Sequence, residues 1–328
     1  MQLFSKKLSQ IYLVLFVSAF LTITGNFTFF EKTILVYPLS ENWPFLGSLF
    51  LLLFTFLAAL LLIFCYKKTI KPILILLLLI SAIVSYSTNN YGIVFDHNMI
   101  TNTFETDTSE FLDLVSFKSI LYFFIFGLLP SVAVWKVKLK EISFKAQFWE
   151  RVKAFLILVV IIAVVLFSFY KHYSSFAREN YHLRTYTIPS YYLYSATKFV
   201  NSKLATSTRP FMEVGLDAKI NKKSKQRRLV ILVVGETART DHMSLNGYDR
   251  NTNPYLEKEE IISFKKMTSC GTDTALSVPC MFSLLDRSSY SHSEGKNMSN
   301  VLDIINHAGV SVLWLDNNSS SKSVADRL

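Results

Sequence analysis

The apolar positions of this chain crowd into its first half, in runs too continuous to be the single buried face of soluble helices. Five runs approach or reach the length an α-helix needs to cross a bilayer, about 17–25 residues: Ile11 to Phe30, Pro44 to Tyr66, Ile70 to Tyr86, Phe117 to Trp135 and Ala154 to Tyr170. The second and third follow closely and predict a tight helical hairpin around Lys67, Lys68 and Lys71, with Pro72 in the first turn of the third helix. The first run is longer than the apolar core of a usual signal peptide. No small-x-small cleavage site follows it, so it is read as a helix that stays.

Basic residues give these helices a direction. Lys6 and Lys7 precede the first run, the lysine cluster follows the second, and Lys136, Lys138, Lys140, Lys145, Arg151 and Lys153 lie between the fourth and fifth. Positive charge marks the cytoplasmic side. The loop between the third and fourth runs carries Asp96, Glu105, Asp107, Glu110 and Asp113 instead, as a translocated loop would. An odd number of passes then puts the N-terminus inside and everything after Tyr170 outside. In the acidic loop Asn102, Thr106 and Glu110 recur every fourth residue, on one face of a short helix. Two readings fit: a row that meets a lipid headgroup, or a solvated helix that is polar all round.

Composition agrees with a membrane chain. Of 328 residues 51% are hydrophobic and 15% aromatic, and the mean hydropathy is +0.33. The net charge of +10 could suggest nucleic acid, but its lysines and arginines cluster beside the apolar runs, so nucleic acid is excluded as a partner. Cys65 ends an apolar run alone, whereas Cys270 and Cys280 lie close together in the polar half and would form a disulfide if that half is exported.

Three regions follow: a transmembrane domain over 1–170, a linker over 171–228 and an α/β domain over 229–328. The linker carries Tyr181, Tyr186, Tyr191, Tyr192 and Tyr194, then Lys222, Lys223, Lys225, Arg227 and Arg228, which suits either a segment lying on the bilayer surface or a plain tether. Arg228 to Gly235 reads RLVILVVG, the pattern of a buried parallel strand, and Glu236 follows at its carboxyl end, where open parallel sheets gather ligands. A second unit runs from helix-like Val301 to His307, through Gly309, into Val310 to Leu315 and then Asp316, Asn317 and Asn318. Two such units predict an α/β sandwich, incomplete in this chain.

Between the units lies CGTDTALSVPC, Cys270 to Cys280, with Thr272 and Thr274 just ahead of helix-like Ala275 to Leu285. A threonine at a helix N-terminus has two readings. It can cap the helix, or it can serve as a nucleophile where backbone N–H groups favour an alkoxide and a bound phosphate. A free hydroxyl needs a base or a metal to become nucleophilic, and Glu236 could supply one metal ligand.

The blocks VVGETARTDHMSLNGYDRNTNPYL, TSCGTDTALSVPCMFSLL and LWLDNNSSSK, with the membrane layout, resemble the lipid A phosphoethanolamine transferases of the alkaline phosphatase and sulfatase superfamily. The resemblance covers essentially the whole chain. It implies a five-helix membrane domain in the bacterial inner membrane, with a periplasmic sulfatase-like domain whose first part is present here. It also implies Thr274 as nucleophile and zinc ligand, Glu236 as a second Zn2+ ligand, and a disulfide from Cys270 to Cys280 that brackets the nucleophile. Phosphoethanolamine contacts fall on Asn318 and Lys322, and headgroup contacts on Asn102, Thr106 and Glu110. The donor so implied is phosphatidylethanolamine and the acceptor lipid A or lipopolysaccharide. Asp241 and His242 are not the family's metal pair, which comes from a later segment. His242 is read as a structural residue of the first helix, and His292 and His307 as surface or packing residues.

A zinc site needs about four ligands, and two positions here match the family's. Family members continue further, through an Asp-His pair, more histidines and more strands, and Leu328 falls in what should be a helix. Two alternatives remain: a phosphoglycerol transferase with a similar layout, or a non-catalytic membrane protein. A sulfatase is excluded, because Cys280 is followed by Met281, Phe282 and Ser283 rather than by the x-P-x-R that sulfatases need. A polypeptide of residues 1–328 alone is expected neither to bind zinc tightly nor to transfer phosphoethanolamine. Zinc-dependent turnover by that polypeptide, assayed with a fluorescent phosphatidylethanolamine, would overturn this.

Overall fold

The computed structural model describes residues 7–105, 115–206, 210–221, 226, 228–235, 238–316 and 320–328. Thr106, Glu110, Glu236 and Asn318 therefore lie outside the described residues. The chain forms two compact units: Met1–Ile100 with Asp107–Val200, and Thr101–Thr106 with Asn201–Leu328.

The first unit is a helical bundle. Its helices are α1 (Gln10–Gly25), α2 (Phe27–Val36), α3 (Leu39–Phe64), α4 (Ile70–Tyr91), the start of α5 (His97–Glu105), α6 (Phe117–Lys136), α7 (Phe144–Ser168), α8 (Tyr170–Glu179) and most of α9 (Ser190–Thr206). Four of them, α3, α4, α6 and α7, are each long and apolar enough to cross a membrane, and α1 with α2 would make a fifth span bent by 59°. The expected continuous first helix is thus broken. The break falls at Asn26, which is 1% exposed.

Asn26 makes the break tolerable. Its amide donates to the carbonyl of Ile188 at 2.8 Å and accepts from the Ile188 amide at 2.9 Å. It also donates to the Leu21 and Thr22 carbonyls at the end of α1. Buried backbone groups freed by a helix break need partners, because lipid supplies none. A second break occurs in α6, where Pro130 has no N–H for the carbonyl four residues back, and the turn widens into a π-turn over Phe124–Leu128. Gly127 sits there against Ala82 of α4, and an added Cβ would lie 3.1 Å from the Ala82 methyl.

Apolar packing between α1, α3, α4 and the segment around Ile188 uses Val14, Leu57, Ala58, Leu74 and Leu78, all buried. Apolar burial alone does little to bind helices in lipid, so interhelical hydrogen bonds contribute, on average about 0.6 kcal/mol each. They include Thr28 to Asn89 at 2.7 Å, Ser81 with Tyr192 at 3.1 Å, Ser85 with Tyr122 at 3.2 Å and Ser48 with Tyr173 at 2.9 Å. At the lysine-rich end, buried Arg151 of α7 donates to the Leu62 and Cys65 carbonyls that end α3 and to Gln10 of α1, and lies over the Tyr66 ring. One guanidinium ties three helices and caps one of them.

The second unit holds α10 (Thr274–Met281), α11 (His292–Lys296) and α12 (Val301–His307), joined by turns and extended segments. The two apolar runs expected as buried parallel strands form no β-ladder among the described residues, whose isolated bridges are only Leu8 with Leu139 and Met212 with Met298. Leu229, Val230 and Val233 are more than 80% exposed. The second run alternates: Val312 and Trp314 face the core of Val278, Phe282, Leu302 and Val324, while Leu313 and Leu315 face out. The physical reason is coverage. A parallel strand is buried only when both faces are covered, and here helices cover one. The end of the chain is also not the expected helix. Residues 320–328 form turns, with Lys322 and Ser323 in left-handed backbone at φ 53° and 70°, and Arg327 pairs with Asp303 at 2.6 Å.

Replacing Asn26 with Ala leaves both backbone groups of Ile188 unpaired. It is expected to lower the stability of the detergent-solubilised protein by about 2–4 kcal/mol, read as an earlier thermal unfolding of the bundle.

Candidate functional site

Thr274 is the first residue of α10, and the cap of that helix is Asp273, whose carboxylate accepts from the Leu276 amide at 3.0 Å. Of the two readings of Thr274, the capping role therefore falls to its neighbour. The loop before α10 is pinned in two ways. Cys270 and Cys280 form a disulfide with their Cα atoms 6.2 Å apart, closing the loop onto the far end of the helix. Gly271 packs so closely on Leu276 that an added Cβ would lie 2.4 Å from its side chain. Val278 and Phe282 bury the opposite face of the helix in the unit's core.

Thr274 lines a cleft of about 420 Å³. The ends of both extended runs line it too: Val233 and Val234 from the first, Trp314 and Asp316 from the second, followed by Ser320. The ends of the two runs and the first residue of α10 thus share one cleft, to which the second run brings the polar Asp316. Asp316 was legible only as part of a polar cluster; its alternation with inward-facing Trp314, whose indole N–H donates to it at 3.2 Å, would have singled it out.

The other expected residues are distributed unevenly. Lys322 follows Ser320 by two positions, in left-handed backbone at φ 53°. Asn102 is half-buried on α5 and belongs to the same unit as Thr274, but it does not line the cleft. Glu236 comes immediately after a run whose residues do line it.

The adjacent Asp241 and His242 have other partners. They sit in a short 3-10 turn, Thr240–His242, rather than in the expected helix. Arg239 grips Asp241 through two hydrogen bonds of 2.6 and 3.0 Å and holds its carboxyl below the usual carboxylate range. The His242 ring meets Tyr248 edge-on. His307 is bonded through Nε2 to the Leu216 carbonyl at 2.8 Å, a packing role. Among the described residues no three His, Cys, Asp or Glu side chains converge as a metal site.

Replacing Cys270 and Cys280 together with Ser removes a closure of ten residues. About 3 kcal/mol of stabilisation is expected to be lost, seen as faster proteolysis between Ser269 and Ala275 than in the unmutated protein under oxidising conditions, the difference vanishing once the disulfide of the unmutated protein is reduced.

With this geometry in view, comparison with known proteins is informative. The family described as phosphoethanolamine transferase EptA/EptB matches residues 53–204, and the sulfatase family matches residues 228–327. Phosphatidylethanolamine transferase Mcr-1 of Escherichia coli is 39% identical over 99% of this chain and 61% of its own length. Phosphoethanolamine transferase EptA of Escherichia coli K12 is 32% identical over 96% of this chain and 58% of its own. The solved structure of the lipooligosaccharide phosphoethanolamine transferase EptA from Neisseria meningitidis superposes with a TM-score of 0.92 at 31% identity, over 98% of this chain and 61% of that one. The chain spans about three fifths of the length of the relatives it matches.

Proposed function

The chain is similar to the EptA and Mcr phosphoethanolamine transferases along nearly its whole length, and from that premise we propose that it forms the membrane domain and the nucleophile-bearing part of an enzyme that moves phosphoethanolamine from phosphatidylethanolamine to lipid A or another envelope glycan through Thr274. The observation that carries this reading is the placement of Thr274 at the first position of α10, beside a separate capping residue and lining a cleft shared with the ends of the two strand-like runs.

In this reading the Thr274 oxygen attacks the donor phosphorus. The bond from phosphorus to the diacylglycerol oxygen breaks, diacylglycerol leaves with a proton, and a phosphoethanolamine ester remains on Thr274. A phosphate oxygen of lipid A then displaces Thr274, which recovers its proton. The amides opening α10 favour the negative charge of the phosphoryl group at both stages. Lys322 supplies a cation for a phosphate oxygen, and Asn318 a hydrogen bond. Asn102, Thr106 and Glu110 are the residues that would meet the donor headgroup.

Zinc fits part of the donor set present. A hydroxyl oxygen and a carboxylate, Thr274 and Asp316, line one cleft, and Glu236 follows a run that lines it as well. Thr274 and Glu236 are the residues that would hold the ion, and its chemistry would be to lower the proton affinity of the Thr274 hydroxyl. The lysine-rich loops argue for an inner-membrane protein with its N-terminus in the cytoplasm and its second unit in the periplasm. Capping lipid A phosphates with ethanolamine would reduce the negative surface charge that cationic peptides such as polymyxin seek.

In cells expressing these residues continued to the full length of their relatives, mass spectrometry of lipid A is expected to find added phosphoethanolamine. Thr274→Ala should reduce it by about 10⁴-fold or more. Transfer of phosphoglycerol instead, or undiminished transfer by the variant, would sink the proposal. A chelator is expected to abolish the transfer in membranes and added Zn2+ to restore it; transfer that is indifferent to chelation would remove the metal from the reading.

A further inference from the structure

At the lysine-rich end of the membrane unit, α1 and α7 part around a second cleft of about 440 Å³. Three cations line it, Lys140, Arg151 and Lys153, against one carboxylate, Glu150. Arg151 is engaged with the carbonyls ending α3 and with Gln10. No ion pair among the described residues involves Lys140, Lys153 or Glu150. Gln147 also lines the cleft. It is 3% exposed, and its Nε2 has no hydrogen-bond partner. A buried amide donor without an acceptor is costly, and an oxygen ligand would satisfy it. Ser9, at the rim, precedes α1 without its hydroxyl capping that helix.

The wall of the cleft changes character toward the lipid. Tyr12 of α1 and Ile157 of α7 line it and are 59% and 60% exposed, on helices that carry apolar residues onward along the bilayer. A soluble anion would gain nothing from that flank. A molecule with a charged head and acyl chains would use both.

We propose that this cleft binds an anionic phospholipid of the phosphatidylglycerol class. Lys140 and Lys153 meet its phosphate, Gln147 and Ser9 donate hydrogen bonds to its oxygens, and its chains run along Tyr12 and Ile157. Glu150, an acceptor only, suits the hydroxyls of a glycerol headgroup. The binding is independent of Thr274, whose cleft is built from the other unit's residues. The bound lipid would hold α1, α3 and α7 together around Arg151.

The test is native mass spectrometry of the detergent-solubilised protein titrated with phosphatidylglycerol and, separately, with phosphatidylcholine. Lys140→Glu with Lys153→Glu should weaken phosphatidylglycerol binding by about 30-fold, two surface cations' worth, and leave phosphatidylcholine unchanged. Gln147→Leu should weaken it about tenfold. Lys67→Glu with Lys68→Glu, at the same end but outside the cleft, should have no comparable effect. The proposal fails if the Lys140/Lys153 variant binds phosphatidylglycerol like the parent, or if the Lys67/Lys68 variant loses as much. It also fails if phosphatidylcholine binds equally well, or if glycerol phosphate without chains competes as effectively as the lipid. Both lysine pairs are exposed, so their variants fold and decide the matter even if Gln147→Leu does not.

Discussion

The side-chain amide of Asn26, bonded to both backbone groups of Ile188, is the contact on which the arrangement of the membrane unit most depends. A helix that breaks within apolar surroundings exposes carbonyls and amides that lipid cannot satisfy. Asn26 covers the end of α1 with one part of its amide and ties in the chain 162 residues later with the rest. The bend between α1 and α2 and the return of the chain to the bundle after α8 are therefore one structural fact. Arg151 performs a comparable service at the other end, where α3 finishes inside the bundle rather than in water.

Much of this was legible in the residue pattern, and what escaped it has a physical cause. Four of the spans follow from apolar length alone, and the hairpin between α3 and α4 from the lysines and Pro72. The break at Asn26 did not, because one polar residue in a long apolar run reads as tolerated substitution until its partner is known, and Ile188 lies far away in sequence. The π-turn before Pro130 is similar: proline announces a disturbance but not how the carbonyls before it will be satisfied.

The strand-like runs differ for another reason. RLVILVVG has the composition of a strand covered on both faces, and composition does not say which neighbours will cover it. Val310 to Leu315 keeps its alternation even without a ladder: Val312 and Trp314 go inward because α10 and α12 offer a surface, and Leu313 and Leu315 go outward because none of the described residues covers them. Period-2 geometry is thus local, whereas burial is collective.

That distinction bears on the candidate site. If Thr274 were placed by the sheet, its position would be only as defined as the unpaired runs. Instead its placement comes from a short loop and helix that close on themselves, through the Asp273 cap, the Cys270 to Cys280 disulfide and the tight seat of Gly271 on Leu276. Each of these constraints spans ten residues or fewer, so none of them waits for long-range pairing. The position of Thr274 is thus set locally, while the far wall of the cleft comes from residues distant in sequence. For that reason the block around Thr274 stands out in the sequence by itself, while Asp316, which lines the same cleft, stands out there only as one of a polar cluster.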